Sequence, residues 1–260
     1  MGACAACCPA SAYSPRLLLD FHRTATAPAM NQLSAFLVVA ALVTPALRAE
    51  LEDDIPLGVE AVTGIRSGYV YRGFDLADAL MDFHLETEIV LEDHLALAAG
   101  GWFATEVGDK FNQASAYIGV RYDLREKLTA ELSASYHTFD HSTLEDGLDL
   151  GASLTWYPDR DWDLGAAVHR DSSSNGWYVS VEGGWSHPLS EDAFLALNGG
   201  VSAVEDYYGR SGLNDIYGRA SLTYNINSML SLTPFIGCSF ELNEGDGNEV
   251  YGGLWFEVSF

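Results

Sequence analysis

From Val59 to the C-terminus, apolar and polar residues alternate with a period of two, in runs of about eleven residues separated by turn-forming clusters. The last run, 250–260, is the clearest. Val250, Gly252, Leu254, Phe256, Val258 and Phe260 share one face, and Tyr251, Gly253, Trp255, Glu257 and Ser259 share the other. This is the pattern of a β-strand with one apolar side. The same period predicts strands at 59–72, 81–91, 95–105, 113–123, 128–139, 147–157, 162–170, 177–187, 193–205, 215–225, 229–241 and 250–260. They make an even set of twelve, as single-chain bacterial transmembrane barrels require.

The predicted connections fall into two alternating classes. Tight turns are expected at 92–94, 124–127, 158–161, 188–192 and 226–228, and longer loops at 73–80, 106–112, 140–146, 171–176, 206–214 and 242–249. Short turns on one rim and long loops on the other is the asymmetry of outer-membrane barrels, whose short rim is periplasmic. The apolar parity carries aromatic residues near both strand ends. Tyr122, Trp156, Trp162, Trp185, Tyr224 and Phe260 lie toward the short rim, and Tyr71, Phe103, Tyr136, Trp177 and Phe240 toward the long one. Aromatic girdles of this kind belong at headgroup depth. The expected fold is an all-β, twelve-stranded antiparallel transmembrane barrel.

The opposite parity is polar or small and must face the interior, since an ionised group toward lipid is expensive. Arg66, Glu86, Glu88, Arg121, Glu131, His137, Glu182, Arg219 and Glu257 are the expected pore-lining residues. Hairpin closure predicts Arg121 near Glu131, and Arg66 near Glu86 and Glu88. Glycine and alanine on this parity (Gly64, Gly151, Gly184 and Gly237 among them) would leave space, and a twelve-stranded interior lies between the filled eight-stranded barrel and the water-filled sixteen-stranded one. A narrow pore and a salt-bridged, plugged barrel are both open readings. The acidic excess favours cations in the first.

The charge balance, Lys+Arg 13 against Asp+Glu 37, argues against nucleic-acid binding, which needs a basic footprint. The one continuous apolar block, 35–43, is too short for a membrane-spanning helix and suits a signal-peptide core. Residues 30–49 therefore read as a signal peptide, 1–29 as an upstream leader and 50–260 as the barrel. Cys238 stands alone after the leader, so no internal disulfide is expected, and no cluster has metal-ligand spacing. The acidic stretch 243–249 reads as a solvated rim rather than a dedicated calcium loop. No cofactor is expected.

The terminal strand resembles the assembly signal of bacterial outer-membrane barrels, which implies export, the barrel-assembly machinery and outer-membrane lipid as partners, and small solutes as cargo. Tyr69-Val70-Tyr71-Arg72-Gly73, followed by Phe74, with Ala98-Ala99-Gly100-Gly101-Trp102 further on, resembles the TorF-type porins of Gram-negative bacteria. That resemblance implies a small solute-passing barrel with Tyr69, Arg72 and Gly73 as motif residues. Arg72 would then fix the top of the first strand, line the mouth or anchor a loop. Outer-membrane lipid hydrolases carry a His-x-Ser pair on a lipid-facing strand. Here the residue two after His169 is Asp171, and His169 has inward parity, so no enzyme is expected. The expected function is passive diffusion of small solutes, and the competing one is a structural or surface-interaction barrel.

Overall fold

A computed structural model describes residues 57–108, 110–243 and 248–259. The leader 1–29, the expected signal peptide 30–49, Phe260 and most of the acidic stretch 243–249 lie outside the described residues. Fourteen strands are present among the described residues, β1 (Leu57–Arg66), β2 (Tyr69–Tyr71), β3 (Phe74–Ala77), β4 (Leu80–Glu92), β5 (Leu95–Glu106), β6 (Asn112–Arg125), β7 (Leu128–Asp140), β8 (Gly147–Trp156), β9 (Trp162–Asp171), β10 (Trp177–Pro188), β11 (Ala193–Tyr207), β12 (Arg210–Asn227), β13 (Leu230–Glu241) and β14 (Glu249–Ser259). Twelve of them, β1 and β4 to β14, form one closed antiparallel barrel in chain order, and β2 and β3 form a separate two-stranded sheet. Closure is made by β1 against β14, from Glu60 opposite Ser259 to Arg66 opposite Gly253. A closed sheet leaves no unpaired edge, which is what a spanning β-structure needs in lipid.

Side-chain parity follows the sequence pattern. Leu148, Leu150, Leu154 and Trp156 of β8, and Trp177, Val179 and Val181 of β10, stand exposed on the outside. Asp149, Tyr178, Ser180 and Ser202 point inward and are buried. The fold is inverted relative to a water-soluble domain: a broad apolar surface is outside, and many of the buried groups are polar or charged. The barrel is a transmembrane one.

Two expected boundaries differ. The first strand does not run from 59 to 72. It leaves the wall at Arg66, and 67–79 is an excursion containing its own hairpin. Tyr71, expected as a lipid-facing rim aromatic, is therefore inside and only 3% exposed. The loop expected at 206–214 is a two-residue connection, because β11 and β12 continue past the wall to Tyr207 and Arg210 with bulges on the way.

The excursion also moves the register. With β1 ending at Arg66, that residue lies opposite Leu80, and Glu86 lies opposite Glu60. Arg66 bonds Asp82 instead of Glu86 or Glu88. Arg121 does lie directly opposite Glu131 as expected.

Candidate functional site

The β2–β3 hairpin turns inward and fills the loop-side half of the lumen. Its turn is Arg72-Gly73, with φ of 45° and 79°. Positive φ at both central residues is the turn geometry that matches strand twist, and glycine takes it freely. Arginine does not, at a cost of about 1 kcal/mol. The side chain offsets that cost by what it reaches. Arg72 Nη1 donates to Asp149 Oδ2 at 2.9 Å and to the Tyr207 hydroxyl at 3.0 Å. Its guanidinium lies 4.4 Å from the Tyr178 ring centre and 5.4 Å from that of Tyr207. Arg72 and Asp149 side chains are 1% and 0% exposed. The backbone of the turn is held as well: Asn214 Nδ2 donates to the Arg72 carbonyl at 2.9 Å, and Arg210 Nη1 to that of Gly73 at 3.1 Å.

Both flanks of the hairpin are aromatic. Tyr69 packs on Trp102 at 5.4 Å and on Phe111 at 6.2 Å, and Tyr71 meets Phe139 edge-on at 6.4 Å. Phe74 packs against Tyr207 and Tyr208 on the far side. Tyr69 also donates to Gln113 Oε1 at 3.0 Å. Buried aromatic and apolar side chains of this size contribute roughly 1.5–3 kcal/mol each, so the hairpin is firmly seated.

The wall at this level is closed around the plug. Asp82, Trp102, Gln113, His137, Asp149, His169, Tyr178, Ser202, Asp215 and Ser239, drawn from β4 to β13, are all buried. His169 Nδ1 lies 3.3 Å from Asp149 Oδ1, on the side of the carboxylate away from Arg72. Asp215 accepts from Ser239 Oγ at 3.0 Å and from Ser202.

Below the plug, toward the short-turn rim, the interior is partly exposed and acidic. Glu86, Glu88, Glu131, Glu182 and Glu257 face it, with Arg121 and Arg219. Glu182 accepts from the Tyr217 hydroxyl at 2.7 Å, and Glu86 from Tyr117. Arg219 stands 4.7 Å over the Trp255 ring, which stacks on Phe235 at 3.9 Å. Four of the glycines expected to leave room do not. The Tyr251 ring lies across Gly237, Trp255 across Gly64, His169 across Gly151 and Asp163 across Gly184. They are slots for large neighbours.

At the loop-side mouth a cleft of about 300 Å³ is lined by Asp75, Leu76, Ala77, Asp78, Glu106, Phe111 and His141. Burial, and then Glu249, Asp78 and Glu106 in turn, raise the Asp75 carboxyl above the ordinary aspartate value. No group of His, Cys, Asp and Glu among the described residues is arranged to hold a metal ion.

All nine expected lining residues face the interior, but not one compartment. Arg66 and His137 sit at the plug level, and His137 is fully buried, so it lines no open path. The others border the lower chamber. Tyr69, Arg72 and Gly73 belong neither to the wall nor to the rim; they are the plug. Sequence reasoning missed Asp149, Tyr178, Tyr207, Arg210 and Asn214 as its socket. The available signal was Arg72-Gly73 itself, a charged residue beside a turn glycine within an aromatic run.

No known protein-family profile and no curated protein sequence matches the chain. Solved structures do. A KdgM porin superposes with a TM-score of 0.52 at 9% identity, covering 78% of this chain and 99% of that one. A NanC porin gives 0.52 at 12% identity over 78% and 98%. LpxR from Salmonella typhimurium gives 0.52 at 8% over 78% and 99%. This is an outer-membrane barrel fold. At such identities the likeness extends to the architecture alone.

Proposed function

We propose that this protein is a porin-like channel of the bacterial outer membrane that passes small solutes and prefers cations. The observation that carries the reading is the acid-rich chamber below the plug, where inward glutamates outnumber arginines inside an apolar-walled closed barrel. Fixed carboxylates on a narrow wall draw cations in and hold anions out. The porin structures that superpose on the chain, and the Tyr69–Gly73 likeness to TorF-type porins, support the same reading. Export by a signal peptide, and delivery to the assembly machinery through the terminal strand, belong to it.

A second reading has its own support: a structural or surface-interaction barrel whose lumen stays plugged. The buried ring around Arg72 favours it. Lipid hydrolysis is the weakest reading, because His169 points inward toward Asp149 and away from lipid.

Planar-bilayer recording under a KCl gradient separates the first two. Discrete steps with a cation-selective reversal potential, reduced by Glu131→Gln and Glu182→Gln, support the channel. A correctly inserted barrel that never conducts, with or without its hairpin, refutes it.

A further inference from the structure

We infer that the β2–β3 hairpin is a gate, which leaves the loop-side lumen as one body when the contact between Arg72 and Asp149 opens. The inference rests on the channel reading above.

The hairpin is built as a separable unit. Its two strands hydrogen-bond to each other, in a sheet distinct from the barrel. Its backbone joins the wall at the base: Ser67 N donates to Gly252 O at 2.8 Å, and Val107 N to Ala79 O at 2.6 Å. These two points define a pivot, with Gly68 beside it. At the far end, the bonds with Asp149, Tyr207, Arg210 and Asn214 converge on Arg72 and Gly73.

Beside the apolar sector where Leu80, Trp102, Phe111 and Phe139 pack on Tyr69 and Tyr71, a second sector of the socket has the chemistry of a surface meant to be wetted. There the wall presents Ser135, Ser180, Ser202, Asp215 and Ser239, all buried. A wall permanently covered by an aromatic hairpin gains most from apolar side chains, because each buried polar group must find a partner or cost free energy. A wall that is alternately covered and flooded needs hydroxyls and carboxylates. The wall partners of Asp149 and Asp215 fit that second condition: His169 remains with Asp149, and Ser202 and Ser239 with Asp215, after the hairpin departs.

The latch itself is two-state. Arg72 and Asp149 are stable together in a desolvated site or apart in water, and removing one partner leaves the other charge buried without its counterion. Opposing the latch, Asp75 near the base of the hairpin lies within electrostatic reach of Glu249 and Glu106, a grouping of like charge that disfavours the seated position, although Asp78 N donates to Glu106 Oε1 at 3.1 Å.

The test is single-channel recording of the full protein in planar bilayers, with insertion checked by heat-modifiable gel mobility. Four forms are compared: wild type, Arg72→Ala, Arg72→Lys, and a variant whose residues 69–77 are replaced by a short Gly-Ser linker. The gate predicts a continuously conducting linker variant and a mostly closed wild type. It also predicts an open probability raised about tenfold or more in Arg72→Ala, and Arg72→Lys nearer to wild type. If Arg72→Ala is as closed as wild type while the linker variant conducts, the hairpin is a fixed filling. If wild type conducts as fully as the linker variant, the hairpin is no obstacle. Either result overturns the gate and leaves the channel standing. A folded linker variant that stays silent overturns both.

Discussion

Arg121 reaches over an entire strand to pair with Glu88 at 2.5 Å, although Glu131 lies directly opposite it. The strand between them, β5, presents Ala96 and Ala98 inward, and their short side chains leave the path clear. Both members of the pair are about one-third exposed, so the bond is partly screened and worth little to stability, on the order of 1 kcal/mol or less. Its consequence is electrostatic: one of the few interior cations is spent on one carboxylate. Arg121→Ala is expected to leave assembly intact and to shift the reversal potential further toward cation selectivity. An unchanged reversal potential would place the ion path away from Glu88.

The outward face can be tested independently of conduction. Leu150 is 52% exposed near the middle of β8. An arginine there, facing lipid near the midplane, costs ~2–4 kcal/mol. Leu150→Arg is expected to abolish the folded, heat-modifiable band, whereas Ser153→Arg, pointing inward on the same strand, retains it. Equal assembly of the two variants would invalidate the assigned parity.

Gly237 gives a packing test of the interior. A Cβ there would lie 2.7 Å from the Tyr251 ring, too close for either to stay in place. Gly237→Ala is expected to lower the stability of the refolded barrel by about 1–3 kcal/mol, as overpacking does, measured as a shift of the urea midpoint in lipid vesicles. Pairing it with Tyr251→Leu should recover most of the loss; no recovery would mean that the ring is not the obstacle.

Acidity should tighten the mouth. Asp75 has its carboxyl raised by burial and by its acidic neighbours, so the seated hairpin binds a proton more readily than the released one. The stabilisation is fully present below the ordinary aspartate value and is lost as pH rises through the raised one. Protease protection of residues 67–79 is therefore expected to fall as pH increases from about 4. Asp75→Asn should flatten that dependence and keep protection high at neutral pH. A wild-type profile rising with pH would contradict the sign.

The barrel was legible in the sequence because lipid and lumen impose opposite chemistry on alternate residues, and that contrast survives in every wall strand from Val59 to Ser259. The plug was not, for a definite reason. Tyr69 and Tyr71 carry the same odd parity as Val59, Ala61, Thr63 and Ile65, so the alternation runs through Ser67-Gly68 without a break. A period of two distinguishes apolar from polar faces. It does not distinguish an aromatic ring in lipid from one buried against Trp102 and Phe139 inside the lumen. Distant pairings were equally hidden: Arg72 with Asp149, Tyr207 and Asn214 depends on a hairpin tip crossing the interior, which no local register can report.

Those sequence separations bear on how the protein comes into being. The hairpin emerges among the first strands, yet its anchors follow 77, 135 and 142 residues later. The tip contact therefore needs β8, β11 and β12 in place together, which ties the seating of Arg72 to completion of the wall rather than to the hairpin's own sequence.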